Sequence, residues 1–454
     1  QQALISSRSV MALFGTDGVR GVANKDLTAE LALDLAVAAA HVLAEGGEFA
    51  GHKPKAIVGQ DSRASGEFLE AAVCAGLASA GIDVYRVGVL PTPAVAHLVA
   101  SSGADLGVMI SASHNPMPDN GIKFFARGGG KLDDALEAAI EKRLGEPWDR
   151  PTGNGVGRII VDENARETYL THLLQGISTP LNGLKIVVDC ANGASSFVAP
   201  EAYRRAGATV VAISHTPNGI NINDNCGSTH LANLKQEVLT QKADLGIAHD
   251  GDADRVLAVD HLGNEIDGDY ILAILAKSLH QSGSLNRATV VGTVMSNLGF
   301  IRAMEKIGIS VVTTAVGDRY VLEKMQSENY ILGGEQSGHV IMRQFAQTGD
   351  GVLTALHLMQ EVVKSGKSLA ECASLMTRYP QVLVNVPGVR KEAVAANQVV
   401  QSAVADISAK LGESGRVLLR ASGTEPLIRV MVEAESIDNA TTYAQELASL
   451  VKSE

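Results

Sequence analysis

The chain has 454 residues, enough for three or four domains of ordinary size. Its formal net charge of −12 argues against non-specific binding to nucleic acids or anionic membranes, so any phosphate site must be a local basic patch. Hydrophobic residues make up 46% of the chain and aromatic residues only 4%, which is typical of an α/β core rich in Ala, Val, Leu and Ile.

Neither an export signal nor a membrane-spanning segment is expected in the N-terminal part of the chain. Residues 1–10 lack the apolar core of a signal peptide and are left out of the fold prediction, with Met11 as the candidate start. The best apolar stretch, Leu31–Ala44, is too short to span a bilayer and contains Asp34 and His41, so an amphipathic helix is predicted there. Scattered cysteines without Cys-x-x-Cys spacing predict reduced thiols in a cytoplasmic enzyme; they are Cys74, Cys190, Cys226 and Cys372.

A unit of strand, helix, Gly and strand recurs three times along the chain. The units run over residues 55–85, 185–213 and 289–312. Each has about 30 residues, the size of a βαβ unit. A Gly lies where each helix needs its C-terminal cap, at Gly81, Gly207 and Gly308. We therefore predict three related α/β domains with mixed sheets.

The first polar loop, Ser111-Ala112-Ser113-His114-Asn115-Pro116, follows a predicted strand over Ala104–Ile110. An Asn-Pro bend and further turn residues come after it. The hydroxyls therefore lie at a strand end, where α/β folds commonly bind ligands. The pattern predicts an exposed loop with a nucleophilic serine, without distinguishing Ser111 from Ser113. Plain turn chemistry is the alternative.

The second polar loop has three carboxylates at alternate positions after a predicted strand over Leu245–Ala248: Asp250, Asp252 and Asp254. In an extended loop they project to one side, about 7 Å apart. Their mutual repulsion favours a bound cation, and oxygen ligands without Cys or His favour Mg²⁺ over Zn²⁺. An EF-hand fails because Arg255 and His261 stand where it needs Gly and Glu. A solvated acidic turn is the alternative.

The third polar loop is Gly333-Gly334-Glu335-Gln336-Ser337-Gly338-His339. Glycines bracket a carboxylate, an amide and a hydroxyl, a set that suits recognition of sugar hydroxyls. Such Gly-rich polar loops are common, so this prediction depends on the neighbouring motifs.

The C-terminal part of the chain is predicted to be a smaller α+β domain. It has strands at 380–386, 416–420 and 427–433, a helix from about Glu392 to Leu411, and a last helix from Asp438. The fourth polar loop, residues 420–426, offers backbone N–H groups and two hydroxyls to an anion. An ordinary loop does not need Arg on both sides, so a phosphate site is predicted from Arg420, Ser422, Gly423, Thr424 and Arg429.

Together with Phe14-Gly15-Thr16-Asp17-Gly18-Val19-Arg20-Gly21, the four loops closely resemble the α-D-phosphohexomutase superfamily, from Met11 onward and in the expected order. Gly-Glu-Gln-Ser-Gly-His and Val316-Gly317-Asp318-Arg319-Tyr320 are similar to its phosphoglucosamine mutase branch. Phosphomannomutases and phosphoglucomutases usually differ at both places. The resemblance implies interconversion of glucosamine 6-phosphate and glucosamine 1-phosphate, toward UDP-N-acetylglucosamine and cell-wall precursors. The intermediates implied are a phosphoserine enzyme and a bisphosphorylated sugar.

The resemblance also implies a role for each candidate site residue. Ser113 is the implied phosphoserine, and a phosphoserine oxygen joins the three aspartates around one Mg²⁺. The implied catalytic residues are Ser113, Lys123, Arg20 and His114; for Lys123 and Arg20 the alternative is a surface charge at a strand end. Glu335 and Ser337 are implied to contact sugar hydroxyls, and the fourth loop to bind the non-reacting phosphate. Glucosamine or glucose 1,6-bisphosphate is the implied activator.

One polar loop per domain predicts a central cleft large enough for a sugar phosphate. The predicted domains are 11–160 with the phosphoserine, 161–260 with the metal, 261–372 with the sugar site and 373–454 with the phosphate site. The partner predicted is a small-molecule sugar phosphate, without nucleic acid or membrane, and a homodimer is left open.

Three alternative functions compete with this prediction. The first is a phosphomannomutase/phosphoglucomutase with the same chemistry. A catalytically silent sugar-phosphate-binding protein is disfavoured because every candidate residue is present. A metal-dependent phosphatase is disfavoured because the third and fourth loops suit an intermediate that must bind in two orientations.

Overall fold

The computed structural model describes residues 13–15, 17–390, 394, 396–421 and 427–452. Their strands form four sheets, numbered I to IV along the chain. Sheets I, II and III have seven, five and four strands, and sheet IV has three. Helices alternate with the strands throughout, so the predicted architecture of three α/β units and a smaller C-terminal α+β unit is confirmed.

Sheet I contains the first polar loop. Its unit consists of β1 (Phe14–Gly15), β2 (Gly18–Val22), α1 (Ala29–Glu45), β3 (Lys55–Gln60), α2 (Ser65–Ser79), β4 (Asp83–Val89), α3 (Thr92–Ser102), β5 (Leu106–Ile110), β6 (Asp119–Ala126), α4 (Asp134–Lys142) and β7 (Ile159–Val161). The strand order is β1-β2-β6-β5-β3-β4-β7. Helix α1 confirms the predicted amphipathic helix, because it buries Leu35 and Leu43 and exposes Glu45.

Sheet II contains the second polar loop (the acidic loop, residues 250–255). Its unit consists of α5 (Ala165–Gln175), β8 (Lys185–Asp189), α6 (Ala199–Arg205), β9 (Thr209–Ile213), α7 (Ala232–Gln241), β10 (Leu245–His249), β11 (Val256–Asp260) and β12 (Glu265–Ile266). The strand order is β12-β11-β10-β8-β9.

Sheets III and IV contain the last two polar loops. The unit of sheet III consists of α8 (Gly268–Gln281), β13 (Thr289–Thr293), α9 (Leu298–Lys306), β14 (Ser310–Thr314), α10 (Asp318–Ser327), β15 (Leu332–Gly334), β16 (Val340–Met342), α11 (Gly351–Ser365) and α12 (Leu369–Ala373). The C-terminal unit consists of β17 (Gln381–Pro387), α13 (Gln398–Leu411), β18 (Gly415–Ala421), β19 (Leu427–Ala434) and α14 (Ile437–Lys452). Their strand orders are β14-β13-β15-β16 and β17-β19-β18.

Sheets I to III repeat one arrangement, which confirms the predicted repeat. The strands of each βαβ unit are parallel, namely β3 with β4, β8 with β9 and β13 with β14. A third strand (β5, β10 or β15) lies parallel to the first, and a fourth (β6, β11 or β16) returns antiparallel. The predicted capping glycines have the left-handed backbone that favours Gly, with φ of +96° at Gly81, +109° at Gly207 and +78° at Gly308.

The first three polar loops occupy the same position in their sheets. Each connects the third strand to the antiparallel fourth strand, over residues 111–118, 250–255 and 335–339. All three therefore follow the carboxyl end of a strand that is parallel to its βαβ unit, where α/β sheets commonly bind ligands.

A continuous hydrophobic core joins the first three units. It includes Val95 of α3, Tyr169 of α5 and Leu356 of α11, all 0% exposed. The C-terminal unit has a core of its own, which includes Val430 and Leu447. Apolar packing therefore fixes the first three polar loops relative to one another. Among the described residues, no helix combines the length and apolar character needed to cross a membrane.

Candidate active site

The first polar loop separates the roles of its two serines. The Ser111 hydroxyl donates a hydrogen bond to Asp61 Oδ2 at 2.6 Å and accepts one from the Ser113 N–H at 2.9 Å. The Ser113 hydroxyl instead points across the domain boundary, to Asp250 Oδ2 at 2.5 Å. Ser111 therefore holds the loop in shape, and the geometry favours Ser113 as the reacting residue.

The prediction of an exposed serine is wrong, because Ser113 is only 1% exposed. Its backbone has φ +51°, a left-handed conformation that residues other than Gly avoid. Two side chains that the sequence analysis missed hold this conformation by donating to the Ser113 carbonyl, Arg63 Nη2 at 3.3 Å and Asn223 Nδ2 at 2.9 Å. Arg63 is itself buried and paired with Asp61.

The three aspartates of the acidic loop meet at one buried point. Each offers a carboxylate oxygen, and these atoms lie within 4.8 Å of one another. The loop is not extended as predicted. Ala253 has φ +56° and donates its N–H to the Asp250 carbonyl at 3.1 Å, which makes a turn and brings the carboxylates closer than the predicted spacing.

The electrostatics of these aspartates fit a cation. Burial, together with Asp254 and Asp252, raises the pKa of Asp250 well above its ordinary value. Burial and Asp252 likewise raise the pKa of Asp254. The pKa of Asp252 is lowered although burial opposes ionisation, because Lys123 and Thr92 stabilise its carboxylate. Among the described residues, buried Asp252 Oδ1 and Asp254 Oδ1 have no hydrogen-bond donor, as expected of atoms placed to hold a metal.

Lys123 is a buried positive charge beside this cluster. Its Nζ lies 2.8 Å from Asp252 Oδ2, 2.8 Å from Asp17 Oδ2 and 3.9 Å from Asp254 Oδ2. Although burial disfavours the charged form, Asp17 and the two other carboxylates raise the pKa of Lys123 well above its ordinary value. Lys123 is 2% exposed, so the alternative of a surface charge is wrong for this residue.

Arg20 and His114 line the cleft beside the serine. Arg20 pairs with Asp17 and donates from Nη1 to Asn115 Oδ1 at 3.4 Å. His114 Nδ1 lies 3.4 Å from Ser113 Oγ. Burial, with the charges of Arg255 and Arg20, lowers the pKa of His114 to about 4, so its imidazole is neutral at pH 7.

A chain of charges that the sequence analysis missed continues from Asp17 into the third unit. Lys131 Nζ lies 2.6 Å from Asp17 Oδ1 and also pairs with Asp318. His339 Nε2 lies 3.7 Å from Asp318 Oδ2 and 3.9 Å from Asp254 Oδ2. Asp17, Asp318 and His339 stand inside the motifs quoted above, but no local pattern predicts that they meet.

The third polar loop (residues 333–339, the sugar loop) lies against the acidic loop. Gly338 has φ +91°, and a Cβ there would approach the Val256 carbonyl oxygen to 2.2 Å, so Gly allows β16 and β11 to come close. Glu335 Oε1 accepts a hydrogen bond from the Gly317 N–H at 3.1 Å. Glu335 and the exposed Ser337 both line the cleft.

Two arginines face each other in the C-terminal unit. Arg420 of β18 and Arg429 of β19 are partners in the antiparallel register. Like charges directly opposite each other destabilise a sheet, and an anion between them relieves the repulsion. Burial and the charge of Arg429 lower the pKa of Arg420. Arg429 lines the cleft. Predicted residues Ser422, Gly423 and Thr424 lie outside the described residues.

The cleft has a volume of about 820 Å³, enough for a sugar phosphate. Every unit contributes to its lining, with Arg20 and His114 from the first, Asp254 and Arg255 from the second, Glu335 and Ser337 from the third, and Arg429 from the fourth. The first three predicted polar loops and Arg429 of the C-terminal unit thus meet at one site, although they lie far apart in the chain.

Comparison with known proteins assigns this architecture to a family. Phosphoglucomutase/phosphomannomutase models match the chain, with alpha/beta/alpha domains I, II and III over residues 11–147, 167–263 and 267–379, and the C-terminal domain over 383–450. The chain belongs to the phosphoglucomutase/phosphomannomutase family. The family is one of phosphohexomutases, so the predicted superfamily and the prediction of an enzyme are confirmed.

Several relatives match over nearly the whole chain. A phosphoglucosamine mutase from Streptomyces griseus is 63% identical over 446 residues, covering 97% of this chain and 99% of the relative. One from Cutibacterium acnes is 61% identical over 442 residues, covering 97% and 98%. These relatives carry the name of the branch that the sugar loop resembles.

Solved structures of lower identity share the fold. A phosphoglucomutase/phosphomannomutase family protein from Burkholderia thailandensis superposes with a TM-score of 0.79 at 23% identity, covering 96% of this chain and 98% of that one. N-acetylphosphoglucosamine mutase from Aspergillus fumigatus, solved with GlcNAc-6P and magnesium, has a TM-score of 0.67 at 18% identity, with coverages of 97% and 95%.

Proposed function

We propose that the chain interconverts glucosamine 6-phosphate and glucosamine 1-phosphate, as the name of its Streptomyces and Cutibacterium relatives suggests. One observation carries the proposal: the serine loop, the acidic triad, the sugar loop and an arginine of the C-terminal unit meet at a single cleft. A phosphatase needs the first two groups only. A mutase must also hold a sugar and a second, non-reacting phosphate.

In the proposed reaction, a phosphorylated Ser113 donates its phosphoryl group to the free hydroxyl of the bound sugar phosphate. The bond from phosphorus to Ser113 Oγ breaks and a bond from phosphorus to the sugar oxygen forms, while the sugar hydroxyl gives up its proton and Ser113 Oγ takes one up. Lys123, protonated and buried, and Arg20 at the cleft wall stabilise the negative charge of the transferring group. The bisphosphorylated sugar then reorients in the cleft, so that its two ends exchange places, and it returns its other phosphate to Ser113.

Asp250, Asp252 and Asp254 are proposed to hold one Mg²⁺, with a phosphoserine oxygen as a further ligand. Three carboxylates without Cys or His are the donor set that Mg²⁺ prefers, and the two oxygens without a hydrogen-bond donor fit this role. When bound, Mg²⁺ supplies neutralisation of the charge on the phosphoserine.

The sugar and its second phosphate are proposed to bind on the other parts of the cleft wall. Glu335 can accept hydrogen bonds from two adjacent sugar hydroxyls, and Ser337 adds a smaller contact. The non-reacting phosphate is proposed to lie between the facing Arg420 and Arg429, with its site completed by Ser422, Gly423 and Thr424. Such a site must exclude water, since water would otherwise accept the phosphoryl group.

Two further points belong to the proposal. Glucosamine or glucose 1,6-bisphosphate is proposed as the activator that phosphorylates Ser113. The four cysteines are free thiols, which supports a reducing, cytoplasmic compartment. A homodimer stays a prediction.

A coupled assay with glucosamine 6-phosphate, mannose 6-phosphate and glucose 6-phosphate, run side by side, tests the proposal. The expected result is the highest catalytic efficiency with glucosamine 6-phosphate. Higher catalytic efficiency with mannose or glucose phosphate would instead support the phosphomannomutase/phosphoglucomutase alternative, which has the same reaction mechanism. Release of inorganic phosphate without isomerised product would identify a phosphatase instead.

A further inference from the structure

The C-terminal unit has a separate core, and a buried carboxylate links it to the third unit. Glu433 lies near the end of β19 and is 0% exposed. Its Oε2 accepts hydrogen bonds from the Leu298 N–H, at the start of α9, at 3.1 Å and from Arg416 Nε at 2.6 Å. A carboxylate at a helix N-terminus also benefits from the helix dipole. Glu433 is therefore held by groups of two different units.

Asn297 forms the other half of this contact. Its side-chain nitrogen donates to Glu433 Oε1 at 3.2 Å and to the Tyr379 carbonyl at 3.0 Å. Its side-chain oxygen accepts from the Tyr379 N–H at 3.0 Å and the Gly299 N–H at 2.9 Å. Asn297 thus binds both Tyr379, in the segment just before β17, and Glu433 of β19. The amide has no remaining hydrogen-bonding capacity to bind water or a ligand.

Arg416 closes the contact from the sheet side. Besides Glu433, it donates from Nη2 to the Ser296 carbonyl. Ser296 lies in the short loop between β13 and α9, and the neighbouring Met295 lines the cleft. The contact around Glu433 is therefore only one residue away from the cleft wall.

Glu433 and Arg429 lie on the same strand, four positions apart in the chain. Side chains at even spacing project from one face of a strand, and four steps extend about 13 Å. Strand β19 is paired over its length with β17 on one side and β18 on the other. A strand held on both edges moves as a unit, so the position of Glu433 determines the position of Arg429.

We propose that Glu433 is a positioning residue, which seats the C-terminal unit on the start of α9 and thereby sets the position of Arg429 in the cleft. This inference rests on the proposed role of Arg429 in phosphate binding. Without the carboxylate, the Leu298 N–H and the Arg416 guanidinium lose a buried acceptor. The contact between the C-terminal unit and the start of α9 is therefore weakened, while the two hydrophobic cores remain.

Calorimetric binding of glucosamine 6-phosphate to the full-length protein tests the inference, with variants Glu433→Gln, Arg429→Gln and the double variant. Gln has the size of Glu but presents an N–H₂ group to donors. Glu433→Gln is expected to weaken binding about tenfold. Arg429→Gln is expected to weaken it at least as much. Because Glu433 acts through Arg429, the double variant is expected to bind within about twofold of Arg429→Gln alone. Glu435→Gln, at an exposed position just past the strand, is the matched control and should bind normally.

The outcomes separate this inference from the proposed function. If Arg429→Gln binds normally, the proposed phosphate role of Arg429 is wrong. If Arg429→Gln weakens binding and Glu433→Gln does not, only the positioning role is wrong. Fully additive losses in the double variant would also overturn it, because they mean that Glu433 affects binding independently of Arg429. If Glu433→Gln does not fold, Arg416→Met takes its place with the same expectations, since the side chain of Arg416 is partly exposed.

Discussion

The Ser113 hydroxyl donates a hydrogen bond to Asp250 Oδ2 at 2.5 Å, although the two residues are 137 positions apart in the chain. The contact joins the polar loops of sheets I and II, which occupy equivalent positions in their sheets. A phosphate on this serine would place further negative charge beside three carboxylates, and the repulsion is unfavourable unless a cation lies between them. The proposed phosphoserine and the proposed metal site therefore depend on each other.

Replacing Ser113 with Ala is expected to abolish turnover while leaving the fold intact. The lost hydrogen bond has Asp250 as its acceptor, and the removed group is small, so the cost in stability is modest. After incubation with glucose 1,6-bisphosphate, intact-mass analysis should find a phosphate adduct on the unmodified chain and none on the variant. Ser111→Ala is the matched control, because its hydroxyl is bound to Asp61. An adduct on Ser113→Ala but not on Ser111→Ala would assign the nucleophile to Ser111.

Replacing Asp252 with Asn is expected to weaken Mg²⁺ binding by at least tenfold and to reduce turnover strongly. The substitution neutralises one of three anionic ligands and removes one of the carboxylates paired with Lys123. Titration calorimetry with Mg²⁺ measures the affinity directly. Asp224→Asn, an exposed aspartate of the same unit, should bind the metal normally. Undiminished activity of the native enzyme in excess EDTA would leave the acidic loop as a structural turn.

The free energy of unfolding is expected to decrease as the pH is lowered, because buried histidines become protonated. His357 of α11 offers a test of this effect. Burial, with a contribution from Lys364, lowers the pKa of His357 to about 4, below the unfolded value of about 6.5. The folded state thus favours neutral imidazole. The stabilisation is complete above about pH 6.5 and is lost as the pH falls toward 4. His357→Phe should reduce the loss of unfolding free energy between pH 7 and pH 4.5 by about 1–3 kcal/mol, measured by urea denaturation. Equal losses in both proteins would contradict this assignment.

The sequence predicts local structure well and long-range contacts poorly, and particular residues show why. Strand and helix periodicity, with Gly81, Gly207 and Gly308 at helix ends, was sufficient to find the three βαβ units. The sequence could not distinguish Ser111 from Ser113, because their roles depend on Asp61 and Asp250, which come from other elements. The other misses have the same origin in tertiary contacts.

Two features of the site were not predicted because the local sequence around them indicates something else. Lys131 follows three glycines and has no local motif, yet it joins Asp17 to Asp318 of the third unit. The acidic loop reads as extended in sequence, but Ala253 adopts a left-handed backbone and converts it into a turn. Both features depend on contacts with other parts of the fold, which a periodicity argument does not contain.

The proposed assignment depends most on sugar preference, and substitution of Glu335 tests that preference. A mutase must hold its sugar in two orientations that exchange the two ends, so the shared contacts lie near the middle of the ring. Glu335 is well placed for this, because its Oε1 is fixed by the Gly317 N–H at 3.1 Å and the residue lines the cleft. An acceptor near the 2-position also favours an ammonium group over a hydroxyl.

Glu335→Ala is therefore expected to lower kcat/KM for glucosamine phosphate by one to two orders of magnitude in both directions, since a hydrogen bond to a charged group contributes about 1.5–3 kcal/mol. The smaller loss is expected with glucose phosphate, which lacks the ammonium group. Glu328→Ala, on the surface of the same unit, is the matched control. A loss in one direction only would contradict a shared contact, because a residue that binds both orientations affects the forward and reverse reactions alike. Equal losses with both sugars would keep Glu335 in the cleft but remove it from recognition of the amino group.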